Sequence, residues 1–509
     1  MRKAKLYIYN GLLVSGVSLI LRFAGMAYTV YISGKLGAEG MGLLSLVTSV
    51  YSLALTLAVS GIHLTCTRLT ADALALKQPK EARKSLLGCA VYSLAFGLFA
   101  AVLLFSLSSF LGKNVLCEER AVLCLRALCP ALPIAALNAC FQGYFTASRR
   151  VWKTAFSSVS EQGLKILFTA FLFSLLLPRG YGVEAVMFSS CFAEFFSFLL
   201  LCLILAFDVR RHLPKTGDIQ KRLPRRLLSI SLPIAVAAWV RSALVTAEHI
   251  LIPKGLKTYG KGNALGTYGV MHGMALPVIF FPYAVITPFT SLLMPEISRF
   301  KAEKKEKDIS FCASLMLRMT LLFALGCASY LCFFGKELGG VLYASADASG
   351  EVGKMIALFA FLIPVMYTDT ATDSVLKGLG EQVYCMKVNI ADAALSLLLV
   401  ILLVPRVGAL GYLVTVFVSE CVNTFFSVWK LKKKTGLSVP LLRSIALPAA
   451  CAVLSAFLAE RLFLLCPIPA RIGLVLAALL FLLLYIPLLC LTGAWQKGDR
   501  RYFKRLFFK

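Results

Sequence analysis

Apolar stretches long enough to cross a lipid bilayer recur along almost the whole chain, and no other feature narrows its fold so sharply. A hydrocarbon core of about 30 Å takes roughly 20 residues of helix, because every backbone N–H and C=O must find its partner without water. Such stretches run over residues 9–33, 43–66, 86–111, 121–146, 155–177, 183–206, 227–252, 269–295, 309–334, 354–376, 386–404, 408–430, 441–464 and 470–492. Of the 509 residues 59% are hydrophobic and 15% charged, whereas a soluble domain is about 25% charged. The expected fold class is an all-α polytopic membrane protein of about fourteen transmembrane helices. Arg22 interrupts the first stretch and no small-residue cleavage pattern follows it, so this span reads as retained rather than removed as a signal.

The chain carries 53 Lys and Arg against 25 Asp and Glu, a formal charge of +28, and position decides what that charge means. With both termini on one side, 35 of the 53 cations fall in the loops of that side, 11 in the opposite loops, and seven within or at the rims of the spans. This asymmetry places both termini in the cytoplasm; only Lys254, Lys257 and Lys261 run against it. Cations distributed in this way exclude a nucleic-acid partner, which calls for a dense basic patch on one soluble face. The basic and aromatic tail at 493–509 reads as an interfacial cytoplasmic segment on anionic lipid. The sixteen cysteines lie mostly inside apolar stretches without a metal-type CxxC pair, so they read as packing residues. Cys117, near an outer loop, is the one placed to oxidise.

Internal repetition locates the site in many transporters. Leu177-Pro178-Arg179 with Gly182, Glu194 and Phe195-Phe196-Ser197 recurs as Val404-Pro405-Arg406 with Gly408, Glu420 and Phe425-Phe426-Ser427. Gly42 meets Gly269 at the same shift, and Gly143 meets Gly378 at a similar one. Two six-helix lobes in pseudo-twofold repeat follow. The N-lobe is expected over 1–206, a basic cytoplasmic linker over 207–226, the C-lobe over 227–434, and two accessory helices over 435–492. Gly34, Gly37, Gly40 and Gly42 mark the first outer turn, while Pro277, Pro282, Pro288 and Pro295 punctuate the eighth span and predict bends there.

Ionisable groups inside spans are costly and are the first candidates for function. Arg22 lies near the middle of the first span; Arg241, Glu248 and His249 share one helical face in the seventh. If the repeat holds, Arg22 and Arg241 face one another, and two guanidiniums that never deprotonate suit a phosphate-bearing headgroup. The competing reading pairs each arginine with an acid, as Arg241 with Glu248, merely to lock helices together. Arg318 in the ninth span is the next candidate. Asp369, Asp373 and Lys377 are spaced i, i+4, i+8 on the tenth span, and Glu161 and Lys165 i, i+4 on the fifth. These groups either bind a coupling Na⁺ or H⁺ or neutralise one another. No metal site is defined, no cofactor is required, and no Walker loop, HExxH or GxSxG motif marks an enzyme.

The run Gly34-Lys35-Leu36-Gly37-Ala38-Glu39-Gly40-Met41-Gly42, then Ser60-Gly61-Ile62, Phe141-Gln142-Gly143-Tyr144-Phe145 with Glu161-Gln162, and Leu293-Met294-Pro295-Glu296-Ile297-Ser298 resemble a known group. It is the polysaccharide exporter and stage V sporulation protein B-like branch of the multidrug/oligosaccharidyl-lipid/polysaccharide (MOP) flippase superfamily. The resemblance implies two six-helix lobes around a central cavity that carry a lipid-linked sugar across by alternating access; the expected cargo is an undecaprenyl-diphosphate-linked saccharide, and the expected carrier a monomer in the bacterial plasma membrane. Its partners would be that lipid and the membrane lipids. Arg22 matches the first-span arginine of lipid II flippases, but Tyr28 stands where they carry a second, and Lys165 is the basic residue after Glu161-Gln162. An ion-coupled multidrug antiporter of the same superfamily, or a membrane polymerase or glycosyltransferase, are the alternatives.

Overall fold

The computed structural model describes residues 2–59, 61–213, 223–260, 262–344, 348–437, 442–465 and 469–494. The middle of the basic linker (214–222) and the tail from 495 onward lie outside the described residues. What is described is helical, with no strand. By its internal contacts the chain divides into two compact units, the first formed by Met1–Tyr28 and Glu39–Lys254, the second by Thr29–Ala38 and Gly255–Lys509.

The first unit is built from most of α1 (Arg2–Val59), α2 (Ile62–Ala75), α3 (Pro79–Phe110), α4 (Arg120–Leu128), α5 (Ala131–Ala147), α6 (Val151–Leu176), α7 (Gly182–His212) and most of α8 (Leu223–Tyr259). The second contains α9 (Ala264–Tyr268), α10 (Leu276–Phe280), α11 (Tyr283–Ala302), α12 (Glu306–Leu342), α13 (Ser349–Phe359), α14 (Ile363–Gly378), α15 (Gln382–Val407), α16 (Ala409–Thr435), α17 (Leu447–Leu465) and α18 (Ala470–Leu491). The division by contacts thus keeps 227–254, expected in the C-lobe, with the first unit.

Twelve helices among the described residues are long and apolar enough to span a membrane, against the fourteen expected. Two places account for the difference. The spans at 9–33 and 43–66 lie on either side of a break and are counted together in one element, Gly16–Ala75. The four glycines expected to make an outer turn break it at a single residue, Gly37 (φ 66°, ψ −176°), a left-handed backbone setting that costs glycine least. The span at 269–295 is divided instead: a π-helical turn at Gly269–Ala275 precedes α10, and α11 begins only at Tyr283. Pro277 sits in the first turn of α10 and Pro282 caps α11, where a missing N–H does least harm. Pro277 and Pro282 therefore mark breaks between short helices, whereas Pro288 and Pro295 fall within α11.

Each unit has its own apolar core. Ile62, Cys66, Leu86, Cys140 and Phe145 bind α2, α3 and α5 in the first; Leu293, Met316, Ala371, Val375 and Leu431 bind α11, α12, α14 and α16 in the second. The described cysteines are free thiols, and among them Cys117 is exposed.

The repeat reappears in the turns. Lys77 (φ 55°) and Lys304 (φ 54°), 227 positions apart, end α2 and α11 in the left-handed region; Arg149 (φ 60°) and Gly380 (φ 79°) end α5 and α14. At all four the next residue's N–H reaches back to close the helix at 2.9 Å, from Gln78 to Ala73 O, Lys305 to Phe300 O, Arg150 to Phe145 O and Glu381 to Leu376 O. Such a bond satisfies a carbonyl that a helix end would leave orphaned.

Candidate functional site

The chemistry of the first unit is cationic. Arg22 stands on α1, twenty residues after its start at Arg2, and Arg241 stands on α8. Both side chains are exposed on the unit, and among the described residues neither closes an ion pair or a side-chain hydrogen bond. No described contact joins one to the other, and the Arg241–Glu248 pair that would have neutralised both is not formed. Glu248 is buried on α8, two residues beyond Thr246, whose hydroxyl donates to Ser49 O at 3.2 Å. This bond fixes α8 along the second half of α1, so both arginines belong to one packed body.

Tyr28 and Lys165, singled out because they depart from the pattern of lipid II flippases, meet in space. The Lys165 ammonium lies 5.4 Å from the centre of the Tyr28 ring, within cation–π range. The Tyr28 hydroxyl shares a 2.8 Å hydrogen bond with Thr169 Oγ1 on the same helix as Lys165. Glu161 does not pair with Lys165; its Oε2 accepts from Ser197 Oγ at 3.3 Å, and Ser197 in turn shares a 2.9 Å bond with Ser157. Glu194, on α7, lies close to Tyr51 of α1. Glu161 is thus tied to a hydroxyl, and Arg22 and Arg241 close no ion pair among the described residues.

The second unit has the opposite character. Asp369 and Asp373 are buried, one turn apart on α14. Asn423 of α16 donates to Asp369 Oδ2 at 3.2 Å, Asn389 of α15 donates to Asp373 Oδ2 at 3.1 Å, and Lys377 reaches the same oxygen at 3.2 Å. In each carboxylate one oxygen is held while the other, Oδ1, is buried with no hydrogen-bond partner, as is Asn423 Oδ1. Buried acceptors of this kind are rare and call for an occupant. An alkali cation takes such oxygens, as does a proton on a carboxylate. Neither Asn389 nor Asn423 was a sequence candidate, because a search restricted to ionisable side chains passes over amides. The signal was available: an asparagine in an apolar span needs partners as an acid does.

Arg318 is half-buried on α12 in this unit. At the end of the α15–α16 hairpin, Lys434 and Lys430 close on Glu381 at 2.7 and 3.4 Å. The Lys434 ammonium above all, helped by Lys430, holds the Glu381 carboxyl below the usual glutamate range.

The model of the family described as "Polysaccharide biosynthesis protein" matches residues 8–294, more than half of the chain. The chain belongs to that family. Stage V sporulation protein B of Bacillus subtilis (strain 168) is 23% identical over 466 residues, 90% of this chain and 89% of that protein. Lipid II flippase MurJ of the same organism is 20% identical over 449 residues, covering 83% and 82%. Among solved structures, lipid II flippase MurJ in an inward closed conformation superposes with a TM-score of 0.73 at 13% identity, over 95% of this chain and 99% of that one. An inward-facing multidrug resistance MATE family transporter of the MOP superfamily superposes with a TM-score of 0.65 at 15% identity, over 84% and 100%. This family member is therefore an all-α, multi-pass membrane protein with the fold of MOP transporters, and its resemblance to stage V sporulation protein B extends over nine-tenths of its length.

Proposed function

We propose that this protein is a flippase that carries a lipid-linked saccharide, joined to undecaprenyl through a diphosphate, from the cytoplasmic to the outer leaflet of a bacterial plasma membrane. One observation carries the reading: Arg22 and Arg241 are exposed on one unit, embedded in helices apolar enough to span, and unpaired among the described residues. A guanidinium keeps its charge at any accessible pH, so inside a membrane it demands an anion, and a diphosphate accepts its fork bidentately. A sugar headgroup is costly to draw through hydrocarbon; a cationic site lowers that cost while the polyprenyl tail stays in lipid. Both termini are cytoplasmic on this reading, and the protein acts as a monomer.

The Asp369–Asp373 cluster supplies the coupling. A Na⁺ or H⁺ taken up there offsets two buried carboxylates against one lysine, and the release of that ion returns the carrier to its starting state. Depletion in living cells tests the proposal: the lipid-linked precursor should accumulate on the inner leaflet, and an unchanged distribution of every such lipid would rule the function out. The likeness to a multidrug transporter, together with the acidic cluster, favours ion-coupled drug export as the second reading. Altered drug sensitivity with unaltered precursor lipids would select it.

A further inference from the structure

One cluster of charge in the first unit takes no part in the proposed transport, and it lies where α5, α6 and α7 end. Asp208, its side chain 1% exposed, is surrounded by cations. It accepts from Tyr144 Oη at 2.8 Å and from Arg150 Nη1 at 2.5 Å, is closely paired with Lys153, and faces His212 Nδ1 at 3.8 Å. Arg150 and Lys153 belong to the start of α6, and Asp208 and His212 to the last turns of α7. The buried carboxylate therefore acts as an internal anchor that gathers the ends of three helices and fixes two cations at one rim of the unit.

What surrounds the anchor is not compensated. Arg210 and Arg211 follow Asp208 within one turn; both are exposed, and among the described residues neither makes an ion pair. Arg150 and Lys153 thus close on one carboxylate, and Arg210 and Arg211 stand beside it on the last turn of α7. The apolar neighbours are as unusual as the charge. Phe207 is 72% exposed and Trp152 53% exposed, each adjacent in sequence to a member of the anchor. The Lys153 ammonium sits 5.8 Å from the Trp152 ring and 5.2 Å from that of Phe145. Exposed aromatic rings beside cations at the end of a spanning helix pair belong at the level of lipid headgroups.

The second unit supplies a contrast. The end of its α15–α16 hairpin is equally basic, with Lys430, Lys432, Lys433 and Lys434 beside the half-exposed Trp429. Its cations are all ammoniums, which attract an anionic surface as point charges, whereas the guanidiniums of the first unit can grip a phosphate through two parallel bonds.

We propose that the rim formed by Arg210, Arg211, Arg150, Trp152 and Phe207 is a discrete site for the phosphodiester headgroup of an anionic phospholipid. Asp208 positions Arg150, and the two rings lie along the acyl chains. The lysine-rich end of the second unit attracts the same lipids only diffusely.

The full-length protein in phosphatidylcholine nanodiscs, doped with phosphatidylglycerol at a few molar per cent, tests this by counting lipids retained on the purified protein by native mass spectrometry. The site predicts selective retention of phosphatidylglycerol at one per protein. R210Q/R211Q should weaken that retention by about tenfold or more, since each cation near an anionic headgroup contributes roughly 1 kcal/mol. K432Q/K433Q should change it less than threefold. Both pairs are exposed, and an unchanged melting temperature in detergent separates loss of lipid from loss of fold. Equal effects of the two pairs, or no preference over phosphatidylcholine, would overturn the proposal, as would displacement of the lipid by millimolar inorganic phosphate, which would mark an ion site rather than a lipid site.

Discussion

The two units use the same joints to hold opposite chemistry. In the first, Thr67 of α2 donates to Gly143 O of α5 at 3.1 Å, and a Cβ on Gly143 would lie 2.6 Å from His63 O. In the second, Ser298 of α11 donates to Gly378 O of α14 at 2.9 Å, and a Cβ on Gly378 would lie 3.1 Å from Met294 O. Hydroxyl, glycine and crossing carbonyl recur in the same roles, and each pair of helices is closed by the same left-handed turn. The polar interiors, by contrast, do not correspond. The first unit exposes Arg22 and Arg241 without an ion pair among the described residues and ties Glu161 to Ser197, whereas the second buries Asp369 and Asp373 with one oxygen each unclaimed. A duplicated scaffold constrains backbone approach closely and side-chain chemistry hardly at all, so one unit is free to take an anion and the other a cation.

That division can be broken experimentally, and the largest effect is expected at the carboxylates. Na⁺ at a hundred times its dissociation constant should stabilise the protein by about 2.7 kcal/mol, seen as a rise in melting temperature relative to choline at equal ionic strength. Asp369→Asn should remove the rise and Arg22→Gln should leave it. If the coupling ion is the proton, Na⁺ will have no effect on either variant and the dependence will be on pH. The glycine joints come next. Gly143→Ala should cost about 1–3 kcal/mol, the range for forcing an atom into a filled space, because its Cβ meets backbone that cannot swing away. Gly378→Ala, with half an ångström more room, should cost less, and equal losses would mean that the two joints are not packed as described. Thr67→Val and Ser298→Ala each remove one hydrogen bond and should each cost about 1 kcal/mol.

The smallest effect concerns pH. Because the Glu381 carboxyl is held below its ordinary value of 4.5, chiefly by Lys434, its contribution is present above that value and lost as the pH falls through its lowered one. Stability should therefore decline below about pH 4.5 less steeply in Glu381→Gln than in the parent, and parallel acid curves would remove Glu381 from the account.

Much of this was legible in the sequence, and what was not has a physical reason. Apolar length announced the helices because hydrocarbon demands it. It could not show that Gly37 alone would interrupt α1, since a helix passes through glycines unless one adopts positive φ. It could not show that Pro277 and Pro282 would divide a span, since a proline bends or ends a helix according to what packs behind it. The repeat was visible in Pro405, Gly408 and Glu420, and its strongest form, the turns at Lys77 and Lys304, is backbone geometry that the residue types conceal. At the site, Arg22, Arg241, Asp369 and Asp373 stood out as charges where charge is costly. The meeting of Tyr28 with Lys165, and the two asparagines that hold the carboxylates, depend on which helix faces which. A single chain without its fold does not carry that information.

The central claim is that the unpaired arginines of the first unit hold the diphosphate of the transported lipid. Purified protein reconstituted into vesicles with a fluorescent undecaprenyl-diphosphate saccharide tests it most directly. Each charge-assisted bond lost costs about 1.5–3 kcal/mol, so Arg22→Gln and Arg241→Gln should each slow translocation by about tenfold to a hundredfold, with a normal melting temperature and an intact response to the coupling ion. Translocation at the parent rate in the double variant would contradict the account.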